Sequence, residues 1–253
     1  MKAFSVVDEQ ASEIPYRPAP ECQNCHLSAT CQPDGVGQSA AGLLSSLVHP
    51  NRTYRPGDHL YRAGDRFQKL FVVKSGSVKT ISVSGASIIN EQVLRFHLPG
   101  DTLGLDAVSG MCHPTSAVAL EKTVCCEIPF ARLEQMACVH PQLQGYVYGL
   151  LSSGVVQANS AMTLLGLFNA TQRVTAFMLD MSRRLERRGL CETAFRMSMS
   201  RAEIASHLGL ATETVSRTLA RLHDDGLISV EGKNIALLDF EGLEAILAVH
   251  GRE

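Results

Sequence analysis

Two short apolar patterns separated by a single glycine, between Ser200 and Leu222, constrain this chain more than any other feature. Ser200-Arg201-Ala202-Glu203 has the form of a capping box, in which the serine hydroxyl caps the Glu203 amide and the glutamate reaches back. Ile204 and Leu208 follow at helical spacing and face inward, and Gly209 permits the left-handed residue that ends a helix. Leu210-Ala211 leads into a second helix, beginning near Thr212. Val215, Leu219 and Leu222 form its apolar face; Glu213, Ser216, Arg217 and Ala220 form the opposite one. A short turn between two amphipathic helices is the helix-turn-helix pattern, centred here on Ala205–Arg221.

The exposed face of the second helix suits base edges. Arg217 can donate two hydrogen bonds to guanine O6 and N7, and Glu213 can accept from cytosine N4. Ser216 and Thr212 complete the set of candidate DNA contacts. Leu227–Val230, Gly232-Lys233 and Ile235–Leu238 read as a β-hairpin directly after this helix, the arrangement of winged DNA-binding domains. The whole chain of 253 residues carries a formal charge of only −2, which excludes binding by bulk positive potential. One copy therefore binds weakly. Two copies on palindromic double-stranded DNA, about one helical turn apart, are needed for useful affinity.

The rest of the chain divides by composition. Residues 1–39 are irregular and bear clustered cysteines. Within 40–139, Gly42–Val48 reads as a short helix, and the remainder as short strands broken by glycine turns: Leu70–Lys74, Val78–Val83, Gln92–Phe96, Ala117–Leu120 and Val124–Ile128. Such a series predicts a small barrel or roll. Phe130–Val139 is a short helix, and Pro141 opens a long one that dominates 140–170. Along it Leu143, Val147, Leu150, Gly154, Ala158, Ala161 and Leu165 fall on one stripe, suited to a dimer contact or to packing on the chain's own roll. No charge occurs between Pro141 and Gln172, but Gln, Ser and Asn interrupt the segment, so no membrane partner is expected. Residues 171–253 hold the winged helix-turn-helix. Met1–Pro20 lacks the form of a signal peptide; a cytoplasmic location is expected, where eight cysteines are reduced thiols or metal ligands.

Cys22, Cys25 and Cys31 place three thiols within ten positions on a loop able to wrap a ligand. Thiolates favour zinc, copper(I) or iron–sulfur clusters, and three leave either kind of site one ligand short. Absence of a second Cys-x2-Cys pair tilts the balance from zinc toward iron–sulfur. Strand alternation over Thr123–Ile128 puts Cys126 with Val124 and Ile128, and Cys125 with Thr123 and Glu127. Periodicity does not say which face meets the loop. Cys112, Cys138 and Cys191 read as small buried hydrophobes, and His26 and His113 as ordinary surface histidines rather than ligands.

Leu208-Gly209-Leu210-Ala211-Thr212-Glu213-Thr214-Val215-Ser216-Arg217 resembles the recognition segment of the CRP/FNR regulators, and within them the FNR (fumarate and nitrate reduction regulator) branch. Its Glu-x-x-Ser-Arg arrangement implies a site similar to TTGAT-N4-ATCAA. Ala211 departs from the pattern, since many relatives place a capping Ser or Thr there; losing that cap costs about 0.5–2 kcal/mol unless Thr212 substitutes. The resemblance implies an α+β fold: an N-terminal β-roll like the cyclic-nucleotide-binding jelly roll, a long dimerisation helix and a C-terminal winged helix-turn-helix. The branch carries an N-terminal cysteine cluster of this spacing and one cysteine before Glu-Ile-Pro-Phe, which matches Cys126 in Val124-Cys125-Cys126-Glu127-Ile128-Pro129-Phe130. It thus implies a [4Fe–4S] cluster on Cys22, Cys25, Cys31 and Cys126 that holds a homodimer on DNA until oxygen degrades it. Cyclic-nucleotide binders of this superfamily use a Glu and an Arg-Ser pair; Thr115 stands here in place of the arginine, so no cyclic nucleotide is expected. The same resemblance implies contact with RNA polymerase through Ser82–Asn90 and Leu190. Rival readings are a roll that senses haem-bound gas or another small ligand, and an iron–sulfur electron carrier. No nucleophile motif, Gly-rich phosphate loop or metal-hydrolase His pair marks the chain as an enzyme.

Overall fold

A computed structural model describes residues 43, 44, 46–83 and 91–248; Cys22, Cys25, Cys31 and His26 lie outside them, as do 84–90 of the Ser82–Asn90 segment. Eight strands form the N-terminal body: β1 (His49–Tyr54), β2 (His59–Tyr61), β3 (Lys69–Ser75), β4 (Val78–Val83), β5 (Glu91–His97), β6 (Thr102–Leu103), β7 (Ser116–Ala119) and β8 (Thr123–Pro129). They make two antiparallel four-stranded sheets, ordered β1-β8-β3-β6 and β2-β7-β4-β5. The turn between β3 and β4 requires glycine: Gly76 has φ +80°, and a Cβ there would lie 2.6 Å from the Lys122 carbonyl oxygen. Tyr54, Tyr61, Phe71, Val73, Val78, Leu103, Ala117 and Cys125 fill the space between the sheets.

Among the described residues, six α-helices of eight or more residues follow the roll: α1 (Phe130–Val139), α2 (Pro141–Leu167), α3 (Ala170–Glu186), α4 (Arg201–Leu208), α5 (Thr212–Asp224) and α6 (Phe240–Ala248). A three-stranded sheet, ordered β10 (Ile228–Glu231), β11 (Asn234–Leu237) and β9 (Ala194–Arg196), closes the C-terminal part. The expected α+β architecture of roll, long helix and winged helix-turn-helix is therefore present. Strands β2, β6 and β9 have only two or three residues, too few to show a period in sequence. Helix α6 also escapes the sequence reading, although Phe240, Leu243 and Leu247 have helical spacing.

Alternate residues of β3 and β8 serve two cores. Leu70, Val72 and Ile128 turn away from the roll interior and pack with Leu44, Leu47, Phe130, Leu133, Leu143 and Tyr146. On the second sheet, Ile81, Val93, Phe96, Leu98 and Val118 join one buried cluster with Val174, Phe177 and Met178 of α3, Ile204 and Leu208 of α4, and Val215 and Leu219 of α5.

Helix α2 splits the expected stripe between its two readings. Leu143 is buried on the chain's own roll and Val147 and Leu150 pack against it, whereas Ala158 and Leu165 are exposed. Val155, Val156 and Met162 also face solvent. By length and composition α2 could cross a membrane, but its first two turns are anchored in the roll by Leu143 and Tyr146.

Candidate DNA interface and sensor face

The capping box forms as its residues predict. Ser200 N donates to Glu203 Oε2 at 2.7 Å, and Glu203 N donates to Ser200 Oγ at 3.2 Å. Ile204 and Leu208 are fully buried, and Gly209 ends α4 in the left-handed region at φ +61°. Helix α5 starts at Thr212 with Ala211 as its N-cap and no side-chain cap bond, so Thr212 does not take over the missing role. Its own backbone carbonyl instead accepts from Ser216 Oγ at 3.0 Å. Val215, Leu219 and Leu222 are buried, while Glu213, Ser216, Arg217 and Ala220 are exposed.

Thr212, Glu213, Ser216 and Arg217 line one shallow depression open to solvent. The α5 cations are sparse: Arg221 Nε lies 3.8 Å from Asp225 Oδ2 across exposed surface, a pair that contributes little. The wing is fastened to the start of α4. Lys233 Nζ donates to the Ser198 carbonyl at 2.9 Å, and Arg201 Nη2 to the Gly232 carbonyl at 3.3 Å.

Sequence reasoning missed how firmly the helix-turn-helix is docked on the roll. Strand β5 is a sheet edge with unpaired backbone groups, and α4 covers it. Ser206 Oγ accepts from Val93 N at 2.9 Å and donates to the Glu91 carbonyl at 3.2 Å, while Gln92 Nε2 donates to the Ser206 carbonyl. Lys79 Nζ bridges Glu91 at 2.7 Å and Glu203 at 3.2 Å. His207 packs edge-on against Phe96 and Phe177. At the other end of α3, the Asp101 carboxylate receives Arg184 Nη2 and Arg188 Nη2, each at 2.6 Å. Arg184 and Arg188, at the C-terminal end of α3, thus form an internal clamp on the roll.

The roll separates the two adjacent thiols. Cys125 is fully buried between the sheets, and its thiol is pushed up to about 12 by burial first, then by Cys126 and Glu127. Cys126 is half-buried on the opposite face, against the cluster that holds Leu44, Leu47 and the Leu143–Tyr146 turn of α2. Among the described residues no group of three metal-binding side chains exists.

Within the region equivalent to a cyclic-nucleotide pocket, Thr115 is buried and donates to Asp106 Oδ2 at 2.8 Å. His113 is not a surface residue as expected. It is buried and stacks on Tyr61 with ring centroids 3.8 Å apart, and burial lowers its pKa. The cysteine expectation also fails for Cys112, Cys138 and Cys191, all exposed. Cys112 sits in a surface loop, Cys191 in the turn after α3, and Cys138 five residues beyond inward-facing Leu133, on the opposite side of α1.

Comparison with known proteins agrees with this geometry. Residues 172–246 match the Crp-like helix-turn-helix domain family, and residues 51–138 the cyclic nucleotide-binding domain family. The transcriptional activator protein Anr of Pseudomonas aeruginosa is 39% identical over 231 residues, covering 90% of this chain and 94% of the relative. The fumarate and nitrate reduction regulatory protein of Vibrio cholerae is 33% identical over 228 residues, covering 90% of each. The solved structure of FixK2 from Bradyrhizobium japonicum superposes with a TM-score of 0.72 at 30% identity, over 78% of this chain and 96% of that one.

Proposed function

The chain belongs to the CRP/FNR family of transcriptional regulators, and on that premise we propose that it is an FNR-type activator, binding palindromic DNA as a homodimer under control of a [4Fe–4S] cluster. Cys22, Cys25, Cys31 and Cys126 hold the cluster in this reading. When bound, it supplies iron–thiolate links that oxygen destroys.

One observation carries the choice of the fourth ligand. Cys126 lies on the sheet face where the chain arrives from its N-terminal segment at Leu44 and Leu47, and where α2 departs at Leu143 and Tyr146. Cys125 points the other way into the roll, where burial disfavours the thiolate that metal binding needs. The donor chemistry therefore fits Cys126. Tyr146 and Leu143 connect this face to α2, whose open middle turns supply the seam for a second copy. Whatever favours dimer over monomer then raises DNA affinity by the same factor.

Glu213, Ser216 and Arg217, with Thr212 beside them, read a TTGAT-N4-ATCAA-like site. The roll holds no cyclic nucleotide in this reading, because Thr115, which donates to Asp106 Oδ2, stands where a cyclic phosphate needs the bidentate cation of an arginine. The regulator acts in the cytoplasm, and exposed Leu190 contributes to its contact with RNA polymerase. Iron and acid-labile sulfide measured on anaerobically purified protein test the proposal. About four irons per chain are expected, lost in Cys126→Ala and kept in Cys125→Ala. Zinc without iron or sulfide would refute it. Oxygen-sensitive DNA binding that survives Cys126→Ala would instead favour a haem or small-ligand sensor.

A further inference from the structure

Helix α2 ends at Leu167, and only Phe168 and Asn169 separate it from α3. From the first turn of α3 the Arg173 guanidinium reaches three backbone carbonyls. Nε donates to Phe168 O at 2.8 Å, Nη2 to Leu165 O at 2.7 Å and Nη1 to Leu208 O at 3.1 Å. The first two belong to the C-terminal end of α2, and the third is the last residue of α4. Helix ends leave carbonyls without intrahelical partners and carry partial negative charge. Helix α2 has no basic residue of its own in its last turn. One planar cation thus terminates both the long helix and the first helix of the helix-turn-helix.

The turn itself sits in the same contact. A Cβ at Gly209 would lie 3.6 Å from both Arg173 Nη1 and Leu165 Cδ2, so the end of α2 touches the residue that aims α5. Leu164 adds an apolar contact to the C-terminal core, which holds distance but not direction. The middle of α2 offers no competing support, since Val155, Val156 and Met162 are exposed. Val174 and Met178 of α3 share an apolar cluster with Val215 and Leu219 of α5; the hydrogen-bonded link between α2 and the recognition helix runs through Arg173, then the end of α4, then residues 209–211.

We propose that Arg173 is a positioning residue: it fixes α5 relative to α2, and in a dimer joined along α2 it sets the half-site spacing that both recognition helices accept together. The inference rests on the DNA-binding homodimer reading above. A guanidinium is required because its donors form a rigid fork, whereas an ammonium on a flexible stem cannot bridge three carbonyls in fixed geometry.

The test uses the full-length chain purified without oxygen, with anisotropy titrations on inverted repeats whose spacer is native, one base pair shorter or one longer. Each base pair moves a half-site by about 3.4 Å. Wild type is expected to prefer one spacer by about tenfold or more. In Arg173→Gln and Arg173→Lys that preference should fall to about twofold, while the penalty for a changed base within a half-site and the dimer content by sedimentation are retained. A variant that keeps the wild-type spacer preference overturns the proposal. Should Arg173→Gln fail to fold, Arg173→Lys decides, because it keeps the stem and the charge. Wild-type protein that binds no inverted repeat refutes the DNA-binding reading instead, an outcome distinct from a variant with unchanged spacing preference.

Discussion

Replacing Asp101 by Asn should loosen the junction between roll and helix-turn-helix. Asp101 sits in the turn between β5 and β6, where its carboxylate receives the amide of Leu98 at 2.9 Å and the guanidinium groups of Arg184 and Arg188 at 2.6 Å. The three side chains are only 13%, 14% and 5% exposed, so water screens them little. Burial alone would raise the Asp101 pKa, but Arg184, then Arg95 and Arg188, bring it from 3.8 to about 2. That lowering corresponds to about 2 kcal/mol of charge stabilisation. Asn removes it and also takes from buried Arg188 its carboxylate partner, while Arg184 keeps exposed Asp180 at 3.5 Å; breaking a buried pair costs about 3–5 kcal/mol. A loss of roughly 2–5 kcal/mol lowers Tm by about 5–20 °C in a chain of this size. The pH dependence has a definite sign. A depressed carboxylate contributes stability fully above its unfolded pKa of 3.8, and loses it as pH falls toward about 2. Calorimetry or circular dichroism melts from pH 7 to pH 3 should therefore show a large Asn defect at neutral pH that narrows below pH 4. A Tm within about 2 °C of wild type at pH 7, with parallel pH profiles, would refute the reasoning.

Other outcomes follow from the same geometry. Ser206→Ala removes the acceptor of the Val93 amide, so stability should fall by about 1–3 kcal/mol and hydrogen exchange at Val93 should accelerate before that of β4. Arg217→Ala should cost about 1–3 kcal/mol per half-site and abolish discrimination at a single base pair, measured by anisotropy on single-base variants of the site. Burial, and then Arg95, hold the His97 pKa well below 6.5, so the stability linked to it is present above 6.5 and is lost as pH falls below that value. His97→Gln should flatten that part of the profile in denaturant titrations.

The helix-turn-helix was legible because its determinants are local. A capping box, a left-handed glycine and an apolar period of 3.6 all lie within twenty-odd residues of one another. Helix α2 was legible from Pro141 and its missing charges, and the two faces of β8 from simple alternation. Which face mattered was not legible, because it depends on β3 pairing with β8 and on α2 folding back over Val72 and Ile128. Arg184 and Arg188 show the same limit. Their spacing of four residues marks them as neighbours on a helix, but their shared carboxylate lies more than eighty residues upstream with no local sign of the pairing. For Cys138 residue type misleads, and its position on α1 relative to Leu133 is the better guide.

The cluster that runs from Ile81 and Phe96 through Phe177 to Ile204 and Leu219 belongs to neither half of the chain alone. A transplant that cut at the start of α3 would expose Phe177, Met178, Ile204 and their neighbours to water and would divide the cooperative unit in which they melt. The output module is therefore not portable as a bare C-terminal fragment. A chimera that works must carry the outward residues of β4, β5 and β7 with it, so this roll and this helix-turn-helix can exchange partners only as relatives that already share that seam.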